Sequence, residues 1–108
     1  MTGVDRERRM SLRLPLEVSG EDSEGRSFSQ MSQTVNISGG GICFESARQF
    51  PVGTRLTLRI EVPQALQARF GGRSVYHVNA VVCRLENFAG AALSRIGARF
   101  LGEVNPSR

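Results

Sequence analysis

Thr54-Arg55-Leu56-Thr57-Leu58-Arg59-Ile60-Glu61-Val62 alternates apolar with polar residues along most of its length. Leu56, Leu58, Ile60 and Val62 fall on one side and Thr57, Arg59 and Glu61 on the other, which is the two-residue period of a strand with one face in a core. Downstream, residues 63–72 read as a loop, because Gln64 to Phe70 could form one or two helical turns but are too few to stand as a helix alone. Residues 74–85 are β-branched and apolar enough for a long strand, 87–91 turn, and 92–101 form a last strand with Ile96, Ala98 and Phe100 on one face.

Upstream the same grammar repeats. Phe50-Pro51-Val52-Gly53 is a turn, and residues 41–45 alternate with Ile42 and Phe44 on one face. Residues 26–35 read as a polar strand with Phe28, Met31 and Val35 as its large apolar anchors. Residues 19–25 form a loop by composition. Leu12, Leu14, Leu16 and Val18 alternate with Arg13, Pro15 and Glu17, and Pro15 marks an edge or a strand start. Six strands, short turns and no long amphipathic helix imply an all-β fold, a six-stranded antiparallel β-barrel or sandwich. A sheet this small is expected to close on itself to avoid exposed edges, so the barrel is preferred. The expected division is a flexible Arg-rich arm over 1–11, a barrel domain over 12–102 and a polar tail over 103–108, without a substantial C-terminal helix.

With 108 residues the chain supports one domain and one modest core. All 14 basic residues are arginines, against 10 acidic ones, for a net charge of +4 and a pI near 10.4. Arginine offers a planar five-donor fork that pairs with phosphate and stacks on flat rings, which suits nucleotide-like anions. Cys43 and Cys83 are far apart and form no CxxC pair, so each is expected to pack as a small buried hydrophobe rather than bind metal. No run approaches the eighteen or so apolar residues of a membrane span, and the expected location is the cytoplasm.

Catalysis is poorly supplied. The single histidine, His77, lies on an expected strand without an acidic neighbour, and Glu21, Asp22 and Glu24 sit in a hydrophilic loop. Neither a nucleophilic triad nor a metal cluster can be assembled from these, so neither catalytic nor metal-binding residues are expected.

What remains is a pairing of two stretches. Arg6, Arg8, Arg9 and Arg13 crowd the lead into the first strand, and Asn36-Ile37-Ser38-Gly39-Gly40-Gly41 interrupts two strands with three glycines. Those glycines are expected to permit positive φ and close approach of a ligand to bare N–H groups. Asn36 and Ser38 add short side chains that can bond the backbone or a polar ligand. Arg9 and Arg13, separated by three residues, can project towards one ligand, with the hexad as the opposing wall. Two guanidinium clamps on phosphate support micromolar binding.

Arg9-Met10-Ser11-Leu12-Arg13 and Asn36-Ile37-Ser38-Gly39-Gly40-Gly41 resemble the RxxxR and [D/N]xSxxG motifs of the PilZ domain, a bacterial receptor for the second messenger cyclic di-GMP. Ser94-Arg95-Ile96-Gly97-Ala98-Arg99-Phe100 is similar to that family's closing strand, so the resemblance covers nearly the whole chain. It implies a six-stranded barrel whose N-terminal arginines fold over the ligand. Arg9 and Arg13 would grip phosphates and stack on guanine, Arg8 would add a further clamp, and Asn36 and Ser38 would bond a guanine or phosphate edge. Gly39 and Gly40 would leave room, and Gly41 would permit the turn. A non-catalytic module of this kind is expected to pass ligand binding to a protein partner, with cyclic di-GMP as ligand and no cofactor. Two alternatives stand beside it: a PilZ-like adaptor that has lost its ligand, and a small basic barrel binding single-stranded nucleic acid. The second is disfavoured because stacking platforms need exposed aromatics, and the chain has no Trp and one Tyr.

Overall fold

Every strand finds two antiparallel neighbours. The computed structural model describes residues 9–104. Its strands are β1 (Pro15–Glu21), β2 (Ser27–Ile37), β3 (Gly41–Ser46), β4 (Arg55–Glu61), β5 (Val75–Glu86) and β6 (Ser94–Glu103). They close into a barrel in the order β1-β2-β3-β6-β5-β4, with β4 returning to β1. The six-stranded antiparallel barrel is therefore the fold, and the sheet has no free edge to protect.

The stretch from Thr54 to Val62 sits where its alternation requires. Leu58 on β4 lies opposite Val18 on β1 and Val78 on β5, and all three are fully buried. Each such aliphatic side chain contributes about 1.5–3 kcal/mol by leaving water. Pro15 opens β1, where its missing N–H costs no ladder bond. The last strand continues to Glu103, two residues beyond the expected end, and the Val104 N–H still reaches the His77 carbonyl at 2.9 Å.

Three expectations about side chains need correction. Met31 is 67% exposed rather than an anchor of β2. It stands three residues from the inward-leaning Phe28, and a strand with no bulge between them cannot turn residues at odd spacing to the same face. Thr34 and Ile37 anchor the far part of β2 instead, both fully buried. Cys83 is exposed, unlike Cys43: it stands at odd spacing from the inward Tyr76, Val78, Ala80 and Val82, and the β5–β6 register slip between Val82 and Arg84 leaves it as the extra residue of a bulge.

The third correction concerns the links. Phe50, read only as part of a turn, and Phe70, read only as part of a loop, are both buried. The β3–β4 link carries Phe50 over one end of the barrel, where it stacks on Phe28 at 5.5 Å between ring centroids. The β4–β5 link contains a 3₁₀ helix, Gln64–Phe70, which ends at Gly71 in the left-handed region (φ 68°). That stop turns Phe70 into the opposite end, edge-on to Tyr76 at 5.5 Å. Antiparallel order places the start of β1, the β2–β3 hairpin, the 3₁₀ link and the end of β6 together at this second end.

Candidate functional site

The lead segment is fastened along the last residues of β2. The Leu14 carbonyl accepts the Thr34 N–H at 3.0 Å, and Met10 exchanges two backbone hydrogen bonds with Ile37, at 2.8 and 2.9 Å. Between these points three lead residues, 11–13, stand opposite two of β2, Val35 and Asn36. The β2–β3 ladder shifts at the same place, between Thr34 and Asn36. This bulge lets Thr34 and Ile37 both face the core at a spacing of three. The Thr34 hydroxyl then serves the lead segment from inside: it donates to the Leu12 carbonyl and accepts the Leu14 N–H at 2.9 Å.

This docking brings the two sequence motifs together. An Arg9 guanidinium N–H donates to the Asn36 side-chain carbonyl, joining the first residue of RxxxR to the first residue of the hexad. Arg13 points further along β2 and β3. Its Nη1 and Nη2 donate to the two Glu45 carboxylate oxygens at 2.9 and 3.3 Å, and Nη1 also lies 3.4 Å from the Gln33 side-chain oxygen. The fork raises the Arg13 pKa and holds the Glu45 carboxyl below the usual carboxylate range, chiefly through the hydrogen bonds and secondarily through charge. Arg8, the further clamp implied by the motif, lies outside the described residues.

The hexad's glycines act differently from the expectation. Positive-φ glycines among the described residues are Gly25, Gly53, Gly71, Gly72, Gly90 and Gly102, so none falls at 39–41. Gly41 is required by crowding. It opens β3 opposite Arg99 of β6, and a Cβ there would stand 2.7 Å from the Ala98 carbonyl oxygen. A Cβ at Gly40 would meet open space, and the Gly40 carbonyl accepts the Phe100 N–H at 3.0 Å. Ser38 is buried; its N–H donates to the Gly41 carbonyl at 2.9 Å and its hydroxyl accepts the Gly40 N–H at 3.3 Å. Its side chain holds the hairpin in shape, and Asn36 is the more available polar group.

Beyond the hexad, the outer surface of β3, β6 and β5 carries residues that motif reading did not reach. The register aligns Asn36, Cys43, Gly97 and Arg84 in one row and Glu45, Arg95 and Glu86 in the next. Burial pushes the Cys43 thiol up, against the opposing charges of Arg95, Arg84 and Arg9 and with that of Glu86. Strand parity already turned Glu45 outward with Cys43. Its meeting with Arg13 depends on pairing between distant strands.

The best-formed clefts are shallow, and none is lined by Asn36, Ser38 or the glycines. One of about 600 Å³ runs along β2 and β3 past Gln33 and Glu45 to Leu93. Among the described residues no three His, Cys, Asp or Glu side chains group closely enough to hold a metal ion, and no helix is long and apolar enough to cross a membrane.

The structure is thus a small closed barrel whose basic lead segment docks beside a glycine hairpin. The chain belongs to the PilZ domain family, whose model matches residues 5–107. Solved structures share the fold. The Bacillus subtilis inhibitor of motility, MotI/DgrA, matches with a TM-score of 0.66 at 22% identity over 91% of this chain and 42% of that one. MrkH of K. pneumoniae matches at 0.62 and 12% identity over 94% and 43%. The PilZ domain of Escherichia coli YcgR, solved with c-di-GMP, matches at 0.57 and 18% identity over 87% and 75%. The chain thus spans about two fifths of the MotI and MrkH chains it matches. No curated protein matches it in sequence.

Proposed function

We propose that the domain is a non-catalytic, cytoplasmic receptor module for cyclic di-GMP, in which Arg9 and Arg13 grip the phosphates and stack on guanine. Asn36 offers a polar edge to the ligand, Ser38 and Gly41 hold the hairpin behind it, and Gly39 and Gly40 leave room for a base. Arg8 adds a clamp from the preceding arm. The observation that carries this reading is the bond between Arg9 and Asn36 beside the Met10–Ile37 pairing, since it unites both motifs at one place. A shallow surface suits such a ligand when the second wall is an arm that closes over it, and the ordering of that arm is the event a protein partner reads. Membership of the PilZ family and the YcgR domain solved with c-di-GMP support the choice of ligand.

Calorimetric titration with cyclic di-GMP at moderate salt tests it. Saturable heat at micromolar ligand is expected, and silence at tens of micromolar would sink the reading. A mixed oligonucleotide in parallel identifies a nucleic-acid binder. A protein that ignores both but retains a partner in a pull-down is an adaptor.

A further inference from the structure

The two motif arginines are held in unlike ways. Arg9 donates to a neutral amide, Asn36, which belongs to the same motif pair. Arg13 is engaged by a charged carboxylate that no motif contains, in a two-bond fork matching the way a guanidinium takes a phosphate. A ligand that recruits Arg13 must therefore displace one oxyanion with another.

Glu45 is built to compete. It sits on β3 between two paired strands, opposite Arg95 of β6, and its carbonyl accepts the Ser32 hydroxyl from β2. The carboxylate is thus presented from a rigid ladder, with its side chain only 24% exposed, whereas Arg13 extends from the lead segment with its side chain 54% exposed. Loss of Arg13 does not strand the carboxylate either. Arg95 also draws the Glu45 carboxyl towards its charged form, so a second cation remains when the first departs. Arg95 in turn lies 5.3 Å from the Phe88 ring centroid, and Glu86 is its register partner on β5. The fork can open and close without leaving a buried charge unpaired.

We infer that Glu45 is an affinity-setting residue of the cyclic di-GMP site, holding Arg13 in a ligand-free latch that the ligand's phosphate must displace. This rests on the reading of the domain as a cyclic di-GMP receptor. The latch raises the ligand concentration at which Arg13 is recruited and holds the lead residue Arg13 on β3 until then.

Calorimetric titration of the parent, E45Q and E86Q proteins with cyclic di-GMP at one salt concentration tests the latch. An exposed ion pair is a modest competitor, so E45Q is expected to bind about two- to fivefold more tightly than the parent. E86Q removes the same charge from the same cross-strand row, two strands away on β5, without touching Arg13, and its affinity is expected to stay at the parental value. A Glu45→Gln change made in an Arg13→Lys background, which keeps the charge but cannot fork, is expected to give a smaller gain. Equal or weaker binding by E45Q with normal binding by the parent overturns the latch and leaves the receptor reading intact; weaker binding would assign Glu45 to the ligand itself. Equal gains in E45Q and E86Q overturn it as well, because general charge would then suffice. If neither the parent nor any variant binds, the latch and the receptor reading fall together.

Discussion

The two ends of the barrel are sealed in the same way and finished differently. Each is covered by a phenylalanine carried on an irregular link, Phe50 at one end and Phe70 at the other. At the Phe50 end an arginine is also present, but Arg48 lies 4.4 Å above the Phe28 ring centroid, beside a cleft of about 420 Å³. A cation on a π face has no oxyanion to exchange. At the Phe70 end, Arg9 and Arg13 are held by oxygen acceptors, and phosphate oxygens can take those places. Sealing a barrel needs only apolar volume, whereas a replaceable anion site needs guanidiniums held by bonds that can be traded.

The strongest way to break this comparison is to remove the seals. Phe70→Ala and Phe50→Ala should each destabilise the fold by about 3–5 kcal/mol in urea unfolding, since both leave a cavity under a link. Only the Phe70 change is expected to weaken cyclic di-GMP binding in the protein that remains folded. The Phe70 link carries Arg69, whose guanidinium lies 3.3 Å from the Met10 sulfur next to Arg9. Equal effects of both changes on affinity would erase the distinction between the ends.

Within the Phe70 end, Gly41→Ala should cost about 1–3 kcal/mol, because the new Cβ presses on a backbone carbonyl of β6 that cannot swing away. Gly40→Ala should be nearly neutral, since its Cβ meets open space. Thermal unfolding of the pair checks this, and similar losses would mean that the hexad needs its glycines for another reason.

Arginine replacements sharpen the contrast next. Arg9→Ala or Arg13→Ala should weaken cyclic di-GMP binding about tenfold, or 1.4 kcal/mol of ligand binding for the Arg9 change, without lowering the melting temperature appreciably. Arg48→Ala should leave affinity unchanged. A comparable loss from Arg48 would place the ligand at the wrong end.

The smallest expected effect is on pH dependence. The folded-state pKa of Glu45 lies below its unfolded value, so its stabilising share is present above the ordinary carboxylate pKa of about 4.3 and lost as pH falls through the folded value. Between pH 7 and pH 3 the parent should therefore lose slightly more stability than E45Q, measured by urea midpoints. A parent curve parallel to that of E45Q would show that the fork does not persist in solution.

Much of this was legible one residue at a time. Alternation at 54–62 and 12–18 identified the inward faces, Pro15 marked the start of a strand, and RxxxR and NxSxxG named Arg9, Arg13, Asn36 and Ser38. Met31 shows where the same logic was misapplied, since its odd spacing from Phe28 already forbade a shared face. Cys83 is a second case of the same kind, since it stands at odd spacing from the inward Val78, Ala80 and Val82. Phe50 and Phe70 carried no periodic signal, as each lies in a link whose burial depends on what the link crosses.

By itself the sequence determined the strand content, the core faces and the two motif halves, because period and residue type act locally along a chain. Tertiary structure decided which halves meet. Arg9 and Asn36 are 27 residues apart and Arg13 and Glu45 are 32 apart, and only barrel closure and the bulge after Thr34 bring either pair within bonding distance. Gly41 likewise owes its necessity to Ala98, a residue of the last strand, because register between distant strands fixes which atoms crowd one another.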